Sequence, residues 1–327
     1  MNPDDDIAAT PSARPRWIVP VACVAVAAVV VAGTGIALMA GRHGPTPGRR
    51  APHGDTEGGS FRPALALAFV RGHTEAFHVT QTMQGRLRAG AISAPFDMRM
   101  TADVRWHVGA VRKDGTASLT IRTTHVALDV NGEQAPVPAV RPAHLRLTSD
   151  GRVLLSNGTT LFRADVQGPS KIGSDSVSAI LPGHGTTPAP GAKWTQHVRS
   201  ILFGQPLAYT AHSTLLRRQH VGPAEAAVVK TAIDLRAFHL TIKLSDLAAL
   251  MHLSTHHAPA GASVTTSGRE SIRTISWVDP AARMLLKTVT HARYSVLETA
   301  HGLPARLWPV TGGIRMTGSM SMTLERI

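Results

Sequence analysis

The sequence predicts a mainly β protein: an antiparallel curved sheet, half-barrel or sandwich, in two similar halves with a few short helices, preceded by one transmembrane helix. Three observations carry this. Apolar and polar residues alternate with period two over long stretches, turn residues interrupt the alternation, and one unbroken apolar run stands near the N-terminus. The 327 residues are 43% hydrophobic, with 29 Gly, 22 Pro and a single Cys. That composition excludes a disordered chain, a collagen and a disulfide-stapled scaffold.

Residues 1–16 form a short polar tail. Trp17 to Ala40 follows, 24 residues without a charge, 20 of them apolar. As a helix this run extends about 36 Å, enough to cross a hydrocarbon core. A cleaved signal peptide would have a shorter apolar region, although Gly35-Ile36-Ala37 is an acceptable cleavage site. Arg14 and Arg16 precede the span and Arg42, Arg49 and Arg50 follow it, so flanking charge does not orient it. A long β-rich body suits a cytoplasmic tail and an extracytoplasmic C-terminal part, at the cell membrane. The only thiol, Cys23, lies in the span, so the body forms no disulfide. Residues 41–60 hold six Gly and three Pro and read as a solvated tether.

The body divides into a first half, 61–181, a Pro/Gly linker, 182–193, and a second half, 194–327. Phe96 to Val108 is the clearest strand: seven apolar residues alternate with Asp97, Arg99, Thr101, Asp103, Arg105 and His107. The interleaved charges read as same-face pairing between Asp and Arg. Lys113-Asp114-Gly115 turns the chain into a second strand, whose phase slips between Thr123 and Val126, as a β-bulge would cause. Asn131-Gly132 ends it, and Leu145–Leu147 with Val153–Leu155 forms a further hairpin. In the second half, strands are expected at Leu207–Leu215, Ala227–Leu235, Arg273–Trp277, Met284–Thr290 and Ile314–Leu324, with an Asp279-Pro280 turn. Ser245 and Asp175 are the candidate starts of two short helices.

Little in the sequence speaks for catalysis. It contains no G-x-S-x-G elbow, H-E-x-x-H, Walker A loop or G-x-G-x-x-G, and its carboxylates are scattered. The expectation is a non-enzyme without cofactor; a spatially assembled hydrolase triad is the remote alternative. Of the 17 His, the tightest group is His252, His256 and His257, a weak metal candidate with no nearby acidic or thiol ligand. Residues 41–327 carry 32 basic and 18 acidic side chains, a net +14. No dense arginine run exists beyond pairs such as Arg217-Arg218, and the two Tyr offer no base-stacking platform, so nucleic acid is not the expected partner. Anionic lipid or cell-wall polymer is more accessible to an extracytoplasmic body.

Met98, Met100, Met316, Met320 and Met322 fall on strand faces expected to look inward, with Trp106, Trp277 and Met284. Methionine adapts to varied apolar ligands, so these residues suit the lining of a lipid-binding cavity; they equally suit a solid core. The membrane span, the tether and the stretches Lys113-Asp114-Gly115-Thr116-Ala117, Asp150-Gly151-Arg152-Val153 and Gly191-Ala192-Lys193-Trp194 resemble bacterial cell-envelope proteins, secreted or lipid-anchored, with a β-rich body in two similar halves. These are distantly similar to lipoprotein carriers that hold acyl chains in a half-barrel, although this chain has no lipobox Cys. The resemblance implies an extracytoplasmic binding or structural role. Two functions follow: burial of a lipid or other hydrophobic ligand, or an envelope interaction module whose basic exterior contacts anionic lipid or polymer.

Overall fold

The computed structural model describes residues 65–135, 142–149, 152–155, 173–175, 181–182, 188–202, 205–243, 261–303 and 312–327. The span at 17–40, the tether, His252, His256, His257 and the helix expected from Ser245 lie outside them. So do residues 176–180; Asp175 ends a short strand where a helix start was expected.

The strands are β1 (Thr74–Ala89), β2 (Ile92–Val111), β3 (Ala117–Val130), β4 (Glu133–Gln134), β5 (Ala143–Leu147), β6 (Arg152–Leu155), β7 (Gly173–Asp175), β8 (Lys193–Leu202), β9 (Gln205–Val221), β10 (Ala224–Lys243), β11 (Ser263–Asp279), β12 (Met284–His301) and β13 (Ile314–Arg326). All belong to one antiparallel sheet, ordered β7-β6-β5-β3-β2-β1-β13-β12-β11-β10-β9-β8, with β4 attached to β3. Sequence neighbours pair with one another and β1 joins β13, so the order is that of a ring cut once. The cut lies between β7 and β8, which still approach within 8 Å at Cα. In sequence it falls across the Pro/Gly-rich stretch 182–193.

Local chemistry sets the turns. Asn131 and Gly132 both have positive φ, 55° and 83°, the two-residue geometry that matches strand twist. The Asp129 carboxylate accepts the Gly132 N–H at 2.9 Å. At the β2–β3 turn the Asp114 carboxylate accepts from Thr116 N–H, and Gly115 takes φ 79°. Asp279 accepts from the N–H groups of Ala281 and Ala282. The phase slip on β3 is a bulge: Thr101 faces Ala127 but Asp103 faces Thr124, with His125 at φ 51°.

One face of the sheet is buried. Phe77, Val79 and Met83 of β1, Phe96 and Met98 of β2, and Met316, Met320 and Leu324 of β13 all lie on it. A polar row crosses this inner face in register: Gln81 faces Met322, which faces Thr290, followed by Thr274, Thr231 and Ser213. Hydroxyls satisfy one another along it, Ser213 with Thr231 at 2.9 Å and Thr274 with Thr290 at 3.1 Å.

Residues 65–69 close one end of the ring. Leu67 N–H donates to Ser149 O beyond β5, and Ala68 N–H donates to Arg283 O between β11 and β12. The Arg283 guanidinium returns hydrogen bonds to the carbonyls of Ala66 and Leu67. Leu65 and Leu67, each 3% exposed, pack with Phe77, Leu147, Leu181 and Leu324. Leu67→Ala is expected to cost about 2–4 kcal/mol in chemical denaturation. Val70→Ala, at a side chain 70% exposed, is expected to stay within about 0.5 kcal/mol of wild type.

Candidate functional site: inner carboxylates and an arginine-covered outer face

The predicted apolar lining divides. Met98, Met316, Met320 and Met322 are on the inner face and at most 5% exposed. The walls of a hollow wide enough for an acyl chain would carry more surface than that; these side chains are packed. The Gln81 amide donates to the Met320 sulfur at 3.3 Å. Met100 and Trp106 are half-buried on the same face, and the Trp106 ring lies 4.5 Å from that of Phe77. Trp277 and Met284 are not inward. β11 alternates without interruption, and its buried positions are Ile272, Ser276 and Val278, so Trp277 shares the outer face with Arg273. Met284 pairs with Asp279 on that outer side, and a bulge at Leu286 resets the phase before Thr288. The period-two run Arg273-Ile275-Trp277 had an apolar signal; the smaller residues between were the ones buried.

The inner face holds groups that the pattern did not flag. Glu270 faces Tyr294 across β11 and β12, and Glu298 faces Thr266. Glu298 is fully buried, and neither of its oxygens has a hydrogen-bond partner. Burial pushes Glu270 to about 8. It pushes Glu298 to about 8 as well. Tyr294 is raised by burial and by Glu270. Its ring has room because Gly318 and Gly85 stand beside it in register: a Cβ on Gly318 would come within 2.8 Å of the Tyr294 hydroxyl.

The sign of the pH dependence follows. The unfolded chain releases these two protons near the ordinary value of 4.5, while the fold holds them to about 8. Their contribution is therefore greatest below about 4.5 and falls as pH rises to about 8. Denaturant unfolding should show the protein a few kcal/mol less stable at pH 8 than at pH 5. The double variant E270Q/E298Q is expected to flatten that slope.

The outer face is charged. On β2 the carboxylates do not take the arginines beside them: Asp97 accepts from Gln84, while Asp103 sits between His78 and His125, each at 2.8 Å. Hydrogen bonds from His78 and then His125 hold Asp103 below the usual carboxylate range. A groove of about 1160 Å³ runs along this flank past Gln84, Asp97, Arg99, Asp129 and Gln134. Among the described residues no cluster of three metal-ligating side chains occurs.

Further along the same face the register gathers single arginines from five strands. Arg88 lies directly opposite Arg315, and Arg86 lies opposite Thr317. Arg269 faces Ser295 and Arg293 faces Ser271, which makes the two arginines diagonal neighbours. Arg236 occupies a bulge in β10, where the register skips from Leu235/Glu270 to Phe238/Gly268. All six are exposed. The carboxylate among them, Asp234, is held by Arg273 at 3.0 and 3.3 Å and by the Ser271 hydroxyl at 2.7 Å. These contacts, Arg273 foremost, keep its pKa low. A search for dense arginine runs misses this cluster because each strand supplies one or two; Arg86 and Arg88, two apart, are the sequence trace of it.

No family model and no curated protein matches the chain. Among solved structures it is similar to the hypothetical lipoprotein YmcC from Escherichia coli (K12), with 13% identity over 76% of this chain and 84% of that one and a TM-score of 0.22.

Proposed function

We propose that this is a membrane-anchored, non-catalytic protein of the cell envelope whose extracytoplasmic body lies against an anionic bilayer through its arginine-covered outer face. The observation that carries the reading is the direct opposition of Arg88 and Arg315, with Arg86, Arg236, Arg269 and Arg293 close by. Like charges directly opposite one another weaken a sheet, and neither arginine has an ion-pair partner among the described residues. An external anion supplies one. Each arginine near an anionic surface contributes about 1 kcal/mol, so six suffice for association that salt reverses. The packed methionines favour this over a lipid cavity.

The anchor makes the bilayer the nearest anionic surface. Residues 41–60 reach about 70 Å when extended, more than the roughly 33 Å that separates Asp279 from Arg269 along β11. The outer face can therefore lie down on the membrane that holds the chain.

The test uses full-length protein in lipid nanodiscs, with Cys23→Ser and a fluorophore at Ser319→Cys on the outer face. Headgroup-quencher lipids are expected to quench the dye in discs containing phosphatidylglycerol, and salt of about 0.5 M to abolish this. R88Q/R315Q should weaken it several-fold. Equal quenching in neutral and anionic discs would remove the reading.

A further inference from the structure

Within the arginine face one place is built differently. A shallow pocket of about 520 Å³ lies between β10, β11, β12 and β13, bordered by Arg236, Arg269 and Arg293, with Ser295 and Thr317 beside them. Asp234 also borders it, where Arg273 and Ser271 hold its carboxylate and Arg236 adds a weaker attraction; Glu270, the other carboxyl in the lining, is kept protonated by burial, so positive charge exceeds negative at this spot. None of the three has an ion-pair partner among the described residues. The β10 bulge places Arg236–Ala237 opposite the single residue Arg269, so Arg236 borders the same pocket as Arg269 and Arg293. Three guanidinium groups on one pocket exceed what one phosphodiester charge requires and suit a terminal phosphate, which carries close to two charges and three free oxygens.

We infer that the pocket bordered by Arg236, Arg269 and Arg293 recognises a phosphomonoester group carried by a lipid headgroup. This rests on the membrane-facing orientation proposed above, and makes the outer face selective among anionic lipids as well as attractive to them.

Two measurements separate the pocket from the surface. Full-length protein in phosphatidylcholine nanodiscs is titrated with soluble glycerol 3-phosphate, a monoester, and with glycerophosphoglycerol, a diester. The quenching assay is then run on discs containing phosphatidate or phosphatidylglycerol at matched total charge. The monoester is expected to bind about tenfold more tightly in both formats. R269K/R293K keeps the charge and removes the forked geometry, and is expected to abolish that preference. Unchanged thermal unfolding of this variant shows that the fold is intact. Equal binding of monoester and diester, or a lysine variant that keeps the preference, would overturn the assignment. Tight glycerol 3-phosphate binding without docking on any disc would leave the pocket standing and sink the membrane reading; docking without a monoester preference would do the reverse.

Discussion

The ladder between β1 and β13 joins the N-terminal strand of the body to the last strand of the chain, from Phe77 opposite Arg326 to Ala89 opposite Ile314. Every other main pairing is between strands close in sequence and is available locally. This one alone turns two successive meanders into a single sheet. Without it β1 and β13 would each present a long unpaired edge, and the inner face would split between Met83 and Met320. Loop closure over more than two hundred residues must precede the reward, so the topology folds late and slowly.

The inner face shows how a barrel-like sheet tolerates polar groups. The hydroxyl row from Ser213 to Thr290 satisfies itself between adjacent strands, so its burial costs little. Glu298 has no such partner and stays neutral instead. Gly85 and Gly318 contribute by having no side chain: a Cβ at either position would collide with the backbone of the neighbouring strand. Close approach of strands, a large aromatic laid across them and protonated carboxylates together fill a space that apolar residues fill elsewhere.

Much of this was legible in the residues. β2, the bulge on β3, the Asn131-Gly132 turn and β13 followed from alternation and turn chemistry, because their buried positions are apolar and their turns use Asn, Asp and Gly. β1 was not legible. Its inward positions include Gln81 and Gly85, which break the apolar period at the two places where the strand meets the polar row and the Tyr294 ring. Trp277 misled for the opposite reason: a large apolar residue sits on the outer side, opposite Val228 and Lys287 in register, while Ser276 and Val278 are buried. The arginine face depends on register between distant strands, and no single stretch of sequence contains register.

The closure formed by residues 65–69 also decides where mechanical load would arrive. Any pull on the chain from its N-terminal side reaches Leu65 before it reaches β1. There it meets the bonds of Leu67 to Ser149 and of Ala68 to Arg283, the Arg283 guanidinium, and the packing of Leu65 and Leu67. The β1–β13 ladder behind them is loaded only after these give way. Under tension the closing segment would peel away first, and β1 would stay paired with β13: a fuse placed ahead of the sheet.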